Sequence, residues 1–454
     1  WTNPPDADFS HVVVYINGIW QANTSTNYYN ATGLSPNTSY TISTHTADTS
    51  GNVNLTWVNH TARTASLIPK CNLTIVWERT YDSGDGGALY GLATDSKNNI
   101  IVTGVRDYWT TAQADWVTLK YSDDGTFLWS RIYDFGTWEA PFAGLAIDVD
   151  DNVFVGGNPH AANLYDYHVI KYNSSGSYLW RQIFDSGAND WSTSIVADSQ
   201  GNVLIIGYQH AQYTSTLVKY DCNGSFLWSK TYPIYFETGE VKLDSRGNII
   251  LGGMTYSTDT GVDYYIAKLS PSGTIIWQQT YNSGGAAYDY GYAVTIDSQD
   301  NIIITGDRIT RKYDTFGNIL WTKNQMGTDI AIDSNDNIFI INESEVVKFD
   351  SAGNLLCSIP LTGYLTKITV DKSDNIVVAG TTSQLDYWGS HDNDFLIKKL
   401  TPIAVDTTPP ASVTNLTNTT YAPTYINWTW TNPPDADFSH VVVYINGIWQ
   451  ANTS

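Results

Sequence analysis

GLATDSKNNIIVTG, residues 91–104, places two short apolar runs on either side of a turn that opens with Asp95 and closes with Asn99. The pattern returns as GLAIDVDDNVFVGG (144–157), SIVADSQGNVLIIG (194–207) and EVKLDSRGNIILGG (240–253). It continues as AVTIDSQDNIIITG (293–306), IAIDSNDNIFII (330–341) and ITVDKSDNIVVAG (368–380). The turn pairs are Asp95/Asn99, Asp148/Asn152, Asp198/Asn202, Asp244/Asn248, Asp297/Asn301, Asp333/Asn337 and Asp371/Asn375. Asp caps the N–H groups of a tight turn, and Gly or Asn tolerates its positive φ, so each copy predicts a β-hairpin.

A third strand follows every hairpin and ends in Lys plus a hydrophobe. The pairs are Lys120-Tyr121, Lys171-Tyr172, Lys219-Tyr220, Lys268-Leu269, Lys312-Tyr313, Lys348-Phe349 and Lys399-Leu400. A Gly turn then leads to a fourth strand carrying Trp129, Trp180, Trp228, Trp277 or Trp321, with Cys357 at that place in the sixth copy. Four strands per copy, repeated at this period, predict the blades of a seven-bladed β-propeller. The seventh copy stops after its third strand, at Leu400. LTIVWERTY (73–81) carries Trp77 at the expected place and supplies the missing strand from the other end. Closure of this kind removes the two raw sheet edges an open series would leave.

These motifs closely resemble the SBBP-type β-propeller repeat of microbial (archaeal and bacterial) cell-surface proteins. A blade of that family reads D-x-x-N-I-x-V-x-G, then D-A-F-V-x-K-L, then a G-x-x-x-W strand. The resemblance spans about three quarters of the chain and implies a fold, with no single activity attached.

A second repeat has a much longer period. WTNPPDADFSHVVVYINGIWQANTS occurs at residues 1–25 and again at 430–454. Identity over a fixed offset marks a tandem or head-to-tail array. The segments around the two copies read as parts of one sandwich. DTTPPASVTNL (406–416), TYINWTW (424–430) and HVVVYING (440–447) give opening strands, and the series continues from Thr26 to Asn54. LSPNTSYTI (34–42) resembles the fibronectin type III pattern L-x-P-x-T-x-Y, which makes Tyr40 the expected tyrosine-corner residue. The expected domains are therefore 1–65, a partial fibronectin type III-like sandwich with strands C to G; 66–406, the propeller; and 407–454, the start of a further sandwich with strands A to C′.

The chain carries 23 Lys and Arg against 45 Asp and Glu, a net charge of −22, although only 15% of residues are charged. Dilute acidity favours solubility and disfavours nucleic acid or anionic membranes. No apolar run reaches the roughly 18 residues of a membrane span. Asn-x-Ser/Thr acceptors stand at Asn23, Asn30, Asn37, Asn54, Asn59, Asn72, Asn173, Asn223, Asn342, Asn415, Asn418, Asn427 and Asn452. Nine of the thirteen lie in 1–65 and 407–454, which suits exposed, glycosylated segments of an extracellular, cell-surface protein. Three cysteines, Cys71, Cys222 and Cys357, allow one bridge with a leftover thiol or three buried thiols.

No H-E-x-x-H, C-x-x-C, G-x-S-x-G or P-loop motif is present, so the reading is of a non-enzymatic protein. Turns such as Asp148-Val-Asp150-Asp-Asn152 invite calcium, but they lack an EF-hand's twelve-residue loop and its final Glu. No cofactor is expected. The long, variable loops all fall on one propeller face, where Trp109, Trp138, Trp191, Tyr235, Tyr290 and Trp388 are expected as exposed contact residues. The expected function is a structural repeat unit of an extracellular filament, sheath or surface layer, whose partners are further copies of itself joined head to tail. The alternative is an adhesin that binds surface glycans or protein through the loop face.

Overall fold

The computed structural model describes residues 1–35, 38–64, 71–84, 86–107, 114–136, 139–161, 164–209, 212–236, 239–257, 261–284, 288–384 and 393–402. It also describes the backbone of strands at 414–422, 425–431, 441–445 and 448–453. Every regular element among these residues is a β-strand.

Residues 73–402 form six sheets. Three contain four strands each in chain order, opening with Ala88–Thr94, Trp191–Ala197 and Gly239–Leu243. A fourth, shorter-stranded one opens with Gly291–Ile296, and a fifth opens with Glu139–Ile147 and carries the two-residue strand Leu164–Tyr165 beside Val153–Ala161. The last sheet has six strands: Asp329–Ile332, Ile338–Phe349, Leu355–Val370, Ile376–Thr381, Phe395–Pro402 and, from the far end of the sequence, Leu73–Tyr81. Leu355–Val370 pairs Ile338–Phe349 mainly through Leu355–Pro360 and pairs Ile376–Thr381 through Tyr364–Val370. The closing strand pairs antiparallel with Phe395–Pro402, Trp77 standing opposite Lys399. Trp129 stands opposite Lys120 in the same way. The first strands of successive sheets pack side by side, and Leu355–Val370 packs on Ala88–Thr94, so the series closes on itself.

One buried module explains the sequence repeat. In the first copy the Asp95 carboxylate accepts the backbone N–H groups of Lys97 and Asn99 and the amide of Asn99. The Lys120 ammonium pairs with it at 2.7 Å. The other copies pair Lys171–Asp148, Lys219–Asp198, Lys268–Asp244, Lys312–Asp297, Lys348–Asp333 and Lys399–Asp371 at 2.7–3.4 Å. Burial opposes the charge on Asp95, Asp198, Asp244 and Asp371, yet the lysine and turn donors hold these carboxyls below the ordinary range. At Asp148 the paired cation is Lys171, and the other donors to this carboxylate are the Asp150 N–H and Asn152.

Neighbouring sheets are joined by indoles. Trp77 Nε1 donates to the Asp123 carbonyl at 2.9 Å, and Trp129, Trp180, Trp277 and Trp321 repeat the contact on Ser174, Cys222, Thr315 and Ser351. Each indole lies on the glycine of the next sheet's turn. A Cβ on Gly125 would stand 2.7 Å from Trp77, and φ there is +79°, so the position takes neither a side chain nor an ordinary backbone. Cys357 replaces the tryptophan where the pattern meets the closing strand. The turn that would receive it is interrupted, because the last two strands of this six-stranded sheet, Phe395–Pro402 and Leu73–Tyr81, come from opposite parts of the chain. Cys357 reaches Cys71 instead and forms a disulfide across 286 residues. Cys222 is free and exposed.

A second set of contacts runs between the hairpin turns. Ser96 donates to Asp151, Ser245 to Asp300, Ser298 to Asp336 and Ser334 to Asp374, through both backbone N–H and hydroxyl. The circle closes where Lys372 N–H and the Ser373 hydroxyl meet the Asn98 amide. Every acceptor in the set is a left-handed residue. Gly201 and Gly247 take that backbone position at two junctions and offer no carboxylate.

Residues 9–63 form a separate four-stranded sheet in the order Ile19–Thr24, Phe9–Ile16, Ser39–Asp48, Val58–Arg63. Val12, Val14 and Ile16 are buried in it, and the Tyr40 hydroxyl accepts the Ser35 N–H at 2.9 Å. In the second compact unit, 403–454, Thr414–Ala422 pairs Tyr425–Thr431, and Val441–Ile445 pairs Ile448–Thr453. The latter repeats the N-terminal hairpin register for register: Val441 faces Thr453 as Val12 faces Thr24.

Candidate ligand cavity

The inner strands of the ring enclose a cavity of about 1190 Å³. Its wall runs through the first strands of the sheets and the Tyr364–Val370 half of the long strand. The hairpin turns lie at the end where these strands finish. The mouth is the opposite end, where they begin and the long loops emerge.

Aromatic rings stand around that mouth. Tyr90, Phe142, Trp191, Tyr208, Tyr292 and Tyr364 line the cavity, and all are half-buried. Tyr90 meets Phe142 edge-on at 5.1 Å, Phe142 lies 6.1 Å from Trp191, and Trp191 stacks on Tyr165 at 3.9 Å, with Tyr208 nearly parallel to it at 6.5 Å. Across the mouth, Tyr288, Tyr290 and Tyr292 stack at 6.1 Å spacings. Burial first, then Asp307, raises the Tyr292 phenol, and burial first, then Glu343, raises that of Tyr364.

Buried carboxylates fix the loops carrying these rings. Asp190 accepts the N–H and hydroxyl of Ser186 and the Gln209 amide. On the other flank of Trp191, Ser192 N–H donates to Asn158 at 2.8 Å. Asp289 binds Ser283 in the same manner and pairs with Arg308 at 2.9 Å.

Below the rings lies a charged strut. Lys367, on the long strand, reaches Glu240, on Gly239–Leu243, at 3.8 Å, and Lys242 lies 3.4 Å from Glu240. Asp329 accepts N–H bonds from Ile330 and Ile368, both at 2.8 Å. Burial drives the Asp329 carboxyl up to about 6, against the pull of Lys367. Glu240 is pulled the other way by Lys242 and Lys367 and sits below its ordinary range despite burial. The Thr366 hydroxyl beside them is buried without a hydrogen-bond partner and lines the cavity.

Of the contact residues expected from the sequence, Trp191 is at the mouth and Tyr290 is in the tyrosine stack. Tyr235 is a correction: it is 5% exposed and packs with Met254 and Val262, because its loop folds inward against the neighbouring sheet. Trp109, Trp138 and Trp388 lie outside the described residues. Among the acceptor asparagines, Asn23, Asn30, Asn54, Asn59, Asn72 and Asn223 are exposed. Asn173 is half-buried and caps its own turn through Ser175 and Ser177, and Asn342 lines the cavity. Asn37 and the side chains of Asn415, Asn418, Asn427 and Asn452 lie outside the described residues. The strut escaped sequence reasoning because Glu240 and Lys367 are 127 positions apart, and only ring closure brings them together.

Among the described residues, one acidic cluster has metal-ligand spacing: oxygens of Asp166, Asp185 and Asp190 lie within 4.8 Å of one another. Burial first, then Asp185 and Asp190, raises the Asp166 carboxyl to about 6.

No protein-family model matches the chain, and no curated protein is similar to it in sequence. Solved structures are similar in fold. YCF48 bound to D1 peptide aligns over 76% of this chain and all of its own, at 8% identity and a TM-score of 0.50. The ring is a β-propeller. The BBS1N–ARL6DN complex aligns over 74% of this chain and 98% of its own, at 7% identity and a TM-score of 0.49. PorZ, a surface component of the type-IX secretion system of Porphyromonas gingivalis, aligns over 79% of this chain and 56% of its own, at 11% identity and a TM-score of 0.46. At such identities the likeness extends to the propeller fold alone. No helix among the described residues is long and apolar enough to cross a membrane.

Proposed function

We propose that this chain is a non-enzymatic repeat unit of an extracellular filament, sheath or surface layer. In this reading seven-bladed propellers alternate with fibronectin type III-like sandwiches, and the sandwiches are the joints. The hairpin Thr414–Ala422/Tyr425–Thr431 of one copy, as strands A and B, covers the four-stranded sheet of another, ordered C′-C-F-G.

One observation carries the proposal: the same twenty-five residues build the same hairpin before and after the propeller in the sequence. On one side that hairpin is extended by Ser39–Asp48 and Val58–Arg63, and on the other it follows a separate two-stranded hairpin. The two inventories are complementary, and a sandwich of roughly 100 residues needs both. The Tyr40–Ser35 bond has the form of a tyrosine corner. Ile19, Trp20, Leu55, Trp57 and Val58, in and beside the terminal sheet, are 48–84% exposed, apolar area that docking of a second copy would cover. The Cys71–Cys357 bridge and the exposed acceptor asparagines suit an oxidising, glycosylating environment.

Light scattering on the purified 454-residue chain tests the reading. Multimers are expected, and removal of 403–454 should leave a monomer with an intact propeller signal. A strictly monomeric full chain at all concentrations would refute it.

A further inference from the structure

We propose that the mouth of the propeller cavity is a binding site for a neutral oligosaccharide, which packs against the open sides of the rings around it, Trp191 included, and hydrogen-bonds to the strut beneath. The site does not depend on whether copies assemble.

Three features select this ligand class. The rings of Tyr90, Phe142, Trp191, Tyr208, Tyr292 and Tyr364 are half-buried around one opening, a lining that suits the apolar face of a pyranose. The floor sets Glu240 and Asp329 against Lys242 and Lys367, and Asp307 and Glu343 add carboxylates to the lining without a further lysine, so the cavity disfavours an anionic ligand while offering hydroxyls both donors and acceptors. Sugar hydroxyls both donate and accept, and the Thr366 hydroxyl adds a buried group with no partner. The cavity, at about 1190 Å³, is larger than a typical small-molecule site and accepts several sugar rings.

The walls also argue against an extended peptide. Strand addition needs free backbone groups on a sheet edge. Here the inward N–H groups of Val241, Val294 and Ile368 are taken by Ser194, Glu240 and Asp329. An entirely apolar ligand would strand the charged strut without solvent.

Isothermal titration calorimetry of the intact chain with cellotetraose, maltotetraose, mannotetraose and chitotetraose tests the proposal. At least one should bind with a Kd of about 1 mM or tighter. Trp191→Ala should weaken it about tenfold, as truncating a buried aromatic anchor does. Tyr364→Leu should weaken it from the other side of the mouth, whereas Trp277→Phe, on an outer strand, should leave it unchanged. Thermal melting of each variant separates lost binding from lost fold. Absence of binding by all four sugars, binding that survives both mouth variants in folded protein, or tighter binding of tetragalacturonate or an extended tetrapeptide would overturn the proposal. Monomeric protein that binds would leave this site standing while removing the assembly reading.

Discussion

The propeller and the terminal sheet are both antiparallel β-structure, yet they are held in different ways. Each copy in the ring buries an ion pair, most place an indole on the next turn, and the seam is fastened by Cys71–Cys357. The terminal sheet buries Val12, Val14 and Ile16 but leaves Trp20, Leu55 and Val58 more than half exposed. Repetition closes the ring on itself, so its inner strands are covered within one chain, while its outer strands leave apolar side chains such as Phe127 (50%), Phe226 (56%) and Leu320 (51%) exposed. Among the described residues the sheet has no such closure, and the proposed assembly would cover its exposed apolar side chains with a second copy.

The largest effect is expected where the ring's polar core is broken. Lys120→Met leaves Asp95 buried and uncompensated, which should lower ring stability by about 3–5 kcal/mol in chemical denaturation. Replacing Lys120 and Asp95 together with apolar residues should recover much of that loss. Reduction of the disulfide, or Cys357→Ser, should cost about 2–5 kcal/mol, because the bridge closes a very long loop. The same treatment should leave the stability of the terminal sheet unchanged.

Acid sharpens the contrast. Asp95, Asp198, Asp244 and Asp371 have depressed carboxyls, so their contribution is present above the unfolded value near 3.8 and is lost as pH falls through the folded values. His168 acts earlier. Burial first, then Arg181, lowers its imidazole to about 3, so stability falls as pH drops from about 6.5 toward 3. Asp166, raised to about 6, works in the opposite sense: its contribution is complete below about 3.8 and lost as pH rises through 6. His168→Gln should flatten the decline of melting temperature between pH 6 and pH 4.

A smaller effect separates one junction from another. Asp300→Ala removes the bonds from Ser245 and puts alanine at φ +63°, for a loss of about 1–2 kcal/mol. The Gly201 and Gly247 junctions have no such bonds to lose. Smallest of all, Leu55→Ser in the terminal sheet should change stability by less than about 0.5 kcal/mol, as exposed substitutions do. It should nonetheless weaken self-association in the same light-scattering assay.

The ring was legible because its rules are local. Asp95, Asn99 and Gly104 announce a hairpin by spacing, and Trp77 announces the closing strand by matching Trp129. The partnership of Lys120 with Asp95 was visible as two recurring motifs, but only the fold joins them. Cys357 stood out as the missing tryptophan, while its bond to Cys71 required the interrupted turn to be seen. The cavity was least legible. Its rings and strut come from strands far apart in sequence, and Tyr235 turned inward because the neighbouring sheet, invisible in the local pattern, offered it Met254 and Val262.

Hydrogen exchange at Thr414–Ala422 and Tyr425–Thr431 measures the proposed joint itself. Mixing a chain truncated before residue 66 with one truncated after residue 402 should slow exchange at these amides, and Leu55→Ser with Trp57→Ser in the second chain should abolish that slowing. Exchange at the same rate with and without the second chain would contradict a sandwich built from two copies.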